Sequence, residues 1–213
     1  MRTRVRGVFG VSGHGRETLA WLSSAGQSLV DYVFVDDAPN LADRVNDHPV
    51  CRFEQFISLS CDIRELIIAV GDPSVRRRLV DRCASAGVSF FTAIAPTAVV
   101  GPHVTIGHGT IVSHLALITT NVTIGAHVHL NMQSCIAHDC VVDDYVTVGP
   151  GAACNGNVHV HEGAYLGAKS VIRQGRPGHP VIIGRSAVVG MGSVVLNSVP
   201  PGTTVVGNPA KPR

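Results

Sequence analysis

Residues 118–148 read ITTNVTIGAHVHLNMQSCIAHDCVVDDYVTV, with an apolar residue at every sixth place: Ile118, Ile124, Leu130, Ile136, Val142 and Val148. Extended in both directions, the same phase runs unbroken through thirteen positions, from Val100, Ile106 and Val112 to Cys154, Val160, Leu166 and Ile172. With 45% of the chain apolar, such a run has a chance probability on the order of 10⁻⁵ in a given phase. The residue four places after each is confined to Val, Thr, Ala, Ser or Cys, as at Val104, Thr110, Ala116 and Ser134. One larger and one small inward side chain per six residues fits short strands joined by tight corners, and not a helix of period 3.6.

A six-residue unit cannot bury its apolar face alone, so successive units wrap and stack into a solenoid filled by a column of aliphatic side chains. The expected fold of this region is therefore the hexapeptide parallel β-helix. Gly101, Gly107, Gly125, Gly149 and Gly167 each follow an inward aliphatic residue, where backbone permissiveness suits a corner. After Ile172 the register slips by five residues and resumes at Ile183, Val189 and Val195. The inserted stretch Arg173 to Pro180, RQGRPGHP, reads as a loop thrown out of one corner. Three sides per turn, as in known hexapeptide solenoids, give eighteen residues per coil and about five coils. The left hand is taken from those solenoids as well, because general crossover rules would predict a right-handed connection.

Residues 1–92 lack this period and are built from different material. Apolar runs at Val5–Val11, Leu29–Val35, Leu66–Val70 and Val88–Phe91 alternate with helical patterns around Glu17–Ala25 and Pro73–Ala86. That alternation predicts a small Rossmann-like parallel α/β sheet. Ala93 to Thr97, which contains Pro96, reads as a linker, giving two domains at 1–92 and 93–213.

A net charge of +2 and the absence of a basic stripe interleaved with aromatics argue against a nucleic-acid partner. Arg76, Arg77 and Arg78 read as a solvated helix face. Met1 to Arg6 is basic, but Gly10, Ser12, Gly13 and His14 interrupt the apolar stretch that follows, so no signal peptide is expected. No run is long enough to span a bilayer. The six cysteines form no CxxC pair and are expected to be reduced, mostly core residues of a cytoplasmic protein.

The first strand runs into Gly10-Val11-Ser12-Gly13-His14-Gly15 and then a helix. Such a turn exposes N–H groups to a phosphate. Its spacing is GxxGxG and not GxGxxG, which disfavours a nicotinamide cofactor. Asp36-Asp37 closes the second strand about twenty residues on, where an acid commonly accepts from a ribose hydroxyl. Gly71, at a third strand end, adds another glycine at the same presumed edge, and together these features favour a nucleotide site.

In the solenoid, His138 follows inward Ile136 by two residues and faces out from a corner. Asp139 beside it is placed to accept from the imidazole and raise its basicity, as a general base requires. Gly156 lies one eighteen-residue coil later, so it should stack on His138 at roughly 4.8 Å and offer an N–H to an oxyanion.

On these motifs the chain resembles, over essentially its whole length, bacterial acetyl-CoA-dependent sugar O- and N-acetyltransferases of the sialic-acid, bacillosamine and perosamine type. The motifs are the SGHG turn (Ser12–Gly15), the acid pair (Asp36, Asp37), the triplet His138-Asp139-Cys140 and the closing Val199-Pro200 with Gly207-Asn208-Pro209-Ala210-Lys211. The resemblance implies a homotrimer, with acetyl-CoA as co-substrate lying along the solenoid between subunits and a nucleotide-linked amino sugar held by the first domain. Substrate contacts would fall on Ser12, Gly13, His14, Asp36, Asp37, Gly71, Val75 and Asn131. His138 would be the base, supported by Asp139, and acetyl-CoA would meet Thr147, Gly156, Ala168 and Met191. The sequence departs from the family pattern at Thr147, often His, and at Asp139, often Glu.

Transfer to the amine of a UDP- or GDP-linked 4-amino-4,6-dideoxy sugar is the expected reaction. O-acetylation of sialic acid or another free sugar is the alternative, and affinity for a nucleotide separates the two. A metal-dependent hydrase would need three converging histidines; folding by eighteen brings only His108 and His127 near register, with His161 about two coils further on, so no metal is expected. A non-enzymatic scaffold is opposed by the outward His-Asp pair.

Overall fold

The computed structural model describes residues 4–24 and 30–213, and the chain divides into two compact units, Met1–Ala93 and Ile94–Arg213. In the first unit, β1 (Arg4–Phe9) leads through the glycine turn into α1 (Gly13–Ser24), followed by β2 (Val30–Val35). A short hairpin, β3 (Arg44–Val45) and β4 (His48–Cys51), turns at Asn46 and Asp47, both at positive φ. Then come α2 (Phe53–Ser58), β5 (Ile63–Ile68), α3 (Pro73–Ser85) and β6 (Ser89–Phe90). The sheet order is β3-β4-β2-β1-β5-β6, parallel except for the β3–β4 pair. The hairpin and α2 are absent from the sequence reading. The predicted ends at Ala25 and Leu29 lie outside the described residues.

The core of this unit is Val8, Phe34, Val35, Phe56, Leu66, Ile67 and Ile68, all fully buried. Gly15 shows how closely turn and sheet pack, because a Cβ there would lie 1.8 Å from the Gly10 carbonyl oxygen. Only a residue without a side chain lets α1 start so close to β1.

The second unit is a three-sided stack, the left-handed parallel β-helix. Face one carries Ile111–Val112, His129–Leu130, Thr147–Val148, Tyr165–Leu166 and Val188–Val189. Leu117–Ile118, Cys135–Ile136, Ala153–Cys154, Val171–Ile172 and Val194–Val195 belong to face two; Val122–Ile124, Val141–Val142, Val158–Val160 and Val181–Ile183 belong to face three. Register is eighteen residues per coil, as in His129↔Thr147↔Tyr165 and Cys135↔Ala153↔Val171. The inward column from Val112 to Val189 is one continuous core. The residue three places after each inward aliphatic adopts positive φ from His103 to Lys169, so the backbone repeats the six-residue period of the side chains.

Four expectations need correction. Ala93–Thr97 is not a linker: Ala93–Ile94 is already a strand of face one, and the Ala95 N–H donates to the Val112 carbonyl. The solenoid therefore begins earlier and has more than five coils, running from Ala93–Ile94 through seven strands of face one to Thr204–Val206. Val100 is half-exposed, because the first coil has a stacking neighbour on one side only. The corner glycines are needed for close approach and not for φ: Gly101 has an ordinary φ, yet a Cβ on it would lie 1.7 Å from the Thr119 oxygen.

The inserted loop shifts register to twenty-three, as in Val171↔Val194, and the last coil is two residues short, with Val188↔Thr204. Neither change reaches the inward column, which continues through Val195 and Val205. Leu130 sits mid-column at 1% exposure. Leu130→Ala should lower stability by about 2–5 kcal/mol in chemical denaturation, through lost burial and the cavity left behind.

Candidate active site

The first candidate site lies at the C-terminal edge of the parallel sheet. Asp36 directly follows β2 and accepts from the Val11 N–H (3.0 Å) and the Ala38 N–H (2.9 Å), tying the glycine turn to the neighbouring strand. Asp37 accepts from the Phe53 N–H (3.0 Å) at the start of α2 and pairs with Arg82 of α3. Partial desolvation would raise the Asp37 carboxyl, but the Phe53 N–H and the Arg82 guanidinium together hold it below its ordinary value. Ser12 and Gly13 are exposed at the tip of the turn, and space is open around the Cα of Gly13 and of Gly71. Asp72 caps α3, accepting from the Ser74 N–H (2.8 Å) and the Val75 N–H (3.0 Å).

Arg76 departs from the sequence reading. It is fully buried, with Nη1 donating to the carbonyls of Val70 (2.8 Å) and Gly71 (3.2 Å). Three consecutive arginines on a helix point about 100° apart, so one of them must turn toward the sheet. Burial depresses the pKa of His14 to about 4, and the Arg76 charge pushes it the same way.

The second site is the corner between faces two and three of the solenoid. The imidazole Nδ1 of His138 lies 2.8 Å from Asp139 Oδ2. Asp139 sits at positive φ and also accepts from Asn121 Nδ2 (3.3 Å), a residue eighteen places earlier. The hydrogen bond from His138 lowers the Asp139 pKa, with Asn121 acting in the same direction. A carboxylate that accepts a hydrogen bond from Nδ1–H leaves Nε2 as the basic nitrogen. The ring lies against Gly156, where a Cβ would come within 2.3 Å of Cε1 and 2.4 Å of Nε2. Among the described residues, the Gly156 N–H has no hydrogen-bond partner. Both His138 and Asp139 are about half-exposed.

The remaining expected contacts fall elsewhere. Asn131, with Nδ2 donating to the Val148 carbonyl (3.0 Å), and the stacked pair Ala168 and Met191 occupy the corner between faces one and two. Met191 is strongly exposed. Thr147 is on face one and only 2% exposed, so its hydroxyl does not meet solvent. Within one chain, the corner bearing Ala168 and Met191 is separated from that of His138 by a whole face, on the order of 15–20 Å.

Two features escaped the sequence reading although the eighteen-residue ruler reaches both. Asn121 is one coil before Asp139, and His161 is one coil after Asp143, whose carboxylate lies 2.9 Å from both His161 Nδ1 and His159 Nε2. His108 and His127 do meet edge to face, at 5.0 Å between centroids, and His127 stacks on Tyr145, but among the described residues they belong to no group of three ligand atoms that could hold a metal ion.

Comparison with known proteins agrees with this architecture. The PglD N-terminal domain family matches residues 7–83. Over 209 residues the chain is 41% identical to GDP-perosamine N-acetyltransferase of Escherichia coli O157:H7, covering 96% of this chain and 94% of that one. The chain belongs to the bacterial hexapeptide-repeat sugar acetyltransferases. Among solved structures, WeeI from Acinetobacter baumannii AYE superposes with a TM-score of 0.95 at 40% identity, covering 99% of this chain and all of that one. PerB from Caulobacter crescentus, solved with CoA and GDP-perosamine, gives 0.85 at 29% identity over 98% of this chain and 96% of that one. No helix among the described residues of this acetyltransferase is long and apolar enough to cross a membrane.

The depressed His14 pKa has a testable consequence. Between about pH 6.5 and 4 the unfolded chain binds a proton at His14 that the folded chain refuses, so stability is complete above about 6.5 and falls with acid down to about 4. The full effect is about 3 kcal/mol. Denaturation midpoints measured from pH 7 to pH 4 should fall less steeply for His14→Gln than for the wild type.

Proposed function

We propose that the protein transfers the acetyl group of acetyl-CoA to the amine of a GDP-linked 4-amino-4,6-dideoxy sugar, with His138 as general base. The observation that carries this reading is the His138–Asp139 pair set against Gly156. Likeness to an N-acetyltransferase of GDP-perosamine, and to a structure holding CoA and GDP-perosamine, supports the donor, the nucleotide and amine over hydroxyl transfer. The first unit would hold the nucleotide. Ser12 and Gly13 offer the turn's N–H groups to phosphate, and Arg76 and His14 lie behind them. Gly71 and Val75 flank the next strand end. Asp36 and Asp37 act mainly by holding the turn and the start of α2 in place, with their remaining lone pairs available to ribose.

At the solenoid corner, Asp139 accepts a hydrogen bond from the Nδ1–H and stays ionised, while Nε2 takes a proton from the sugar amine as its nitrogen attacks the thioester carbon. The tetrahedral oxyanion is met by the Gly156 N–H. When the carbon–sulfur bond breaks, coenzyme A leaves as a thiolate and takes the proton from the imidazolium. The reaction thus ends with the amide, the free thiol and neutral His138.

Acetyl-CoA contacts at Gly156 and at Ala168 and Met191 lie on two different edges of the prism. A homotrimer would bring such edges of neighbouring chains face to face along one donor molecule. The free thiols of all six cysteines suit a cytoplasmic setting.

Steady-state kinetics with acetyl-CoA and GDP-perosamine test the base. His138→Ala should lower kcat by about 10² to 10⁴ while GDP still raises the melting temperature. Near-wild-type turnover would remove His138 from the reaction. In the wild type, GDP should stabilise more than UDP or dTDP; stabilisation by none of the three would remove the nucleotide-sugar substrate. Light scattering should give three times the 22.4 kDa of the chain.

A further inference from the structure

Asp143, His159 and His161 form the one group among the described residues whose ligand atoms could jointly hold a metal ion, all lying within 4.8 Å of one another. The group sits where face three turns into face one, the next corner along from His138, and it takes no part in the transfer proposed above. Asp143 follows the strand Val141–Val142; His159 lies on the strand stacked above, opposite Val141; His161 is one coil beyond Asp143. Solenoid register thus sets an acid of one coil against two histidines of the next.

The donor geometry is close to what a small divalent cation demands. Oδ1 of Asp143 is 2.9 Å from His159 Nε2, and Oδ2 is 2.9 Å from His161 Nδ1. The two rings are tilted, with centroids 4.0 Å apart. A tetrahedral ion with bonds of about 2.0–2.1 Å holds its ligands roughly 3.3 Å apart, so it would enter with small side-chain movements. Each side chain is about a third exposed, which leaves room for water at the remaining positions.

We propose that Asp143, His159 and His161 bind one divalent transition-metal ion per chain, with Zn²⁺ as the representative, and that the ion clamps adjacent coils of the solenoid. Two imidazoles and one carboxylate suit Zn²⁺ or its neighbours; Mg²⁺ and Ca²⁺ prefer all-oxygen sets. To bind, each neutral histidine turns its lone pair toward the ion and carries its proton on the outer ring nitrogen. Protonated imidazoles cannot bind, so affinity must fall in acid. Because the unfolded chain lacks the site, occupancy adds to folding stability.

The test uses the full-length protein after chelator treatment, titrated with Co²⁺ for its visible absorption and with Zn²⁺ by calorimetry and thermal shift. The expected result is one equivalent bound at pH 7.5, competition between the two metals, a raised melting temperature, and no shift with Mg²⁺. Asp143→Asn should weaken binding by at least tenfold, and His159→Ala or His161→Ala by about 100-fold or more. His161→Gln provides a second, milder removal of that ligand, with circular dichroism checking the fold of each variant. Binding by the wild type at pH 5.5 should be strongly reduced. Failure of the wild type to take up either metal would overturn the proposal, as would uptake unchanged in folded His159→Ala and His161→Gln proteins.

Discussion

The constraint on which the rest of the solenoid depends is the backbone register between coils. Each strand pairs in parallel with the one eighteen residues on, as Ile111↔His129↔Thr147↔Tyr165 demonstrates on face one. Once that register is set, side chains at equivalent places are separated by one strand spacing whatever they are. Aliphatic residues therefore stack on aliphatic residues inside, and polar corners stack on polar corners outside. Chemistry at one corner needs no special packing to assemble; it needs only the right residues eighteen apart. His138 over Gly156, Asn121 with Asp139, and Asp143 with His161 are three uses of the same rule.

The register also explains how the solenoid accepts irregular lengths. Five extra residues leave at the corner after Ile172 and two are missing from the last coil, yet Ile172 still stacks under Val195 and Val189 under Val205. Corners can absorb the difference because only the two or three residues of each strand are tied to their neighbours. The inserted loop leaves from the same corner as His138 and Gly156, and Gly175 still donates to the Gly156 carbonyl.

How much was legible in the sequence follows from the same physics. A strict period reveals inward residues and stacked pairs, so the core column and the His138–Gly156 contact could be read before any coordinates. It cannot reveal where the stack begins, because Ala93 and Ala95 are small residues that match the pattern of a turn as well as a strand. In the first unit, the long strands and helices were readable, but the hairpin and α2 are too short to carry a period. Arg76 was misread because composition marks a charged helix and only tertiary packing decides which of three successive arginines faces the sheet. Asp36 and Asp37 were noticed as a motif, yet their observed work is largely to hold the glycine turn and α2, a role that depends on residues brought together by folding.

The central claim is that the stacked corner, and not His138 alone, constitutes the catalytic unit. It is tested most directly by the turnover of Gly156→Ala with acetyl-CoA and GDP-perosamine. A methyl group at 156 would occupy the space of the His138 ring, while an ordinary backbone conformation there lets alanine fold. The account predicts a fall in kcat of at least tenfold with the melting temperature nearly unchanged; turnover within twofold of the wild type, in a normally folded variant, would contradict it.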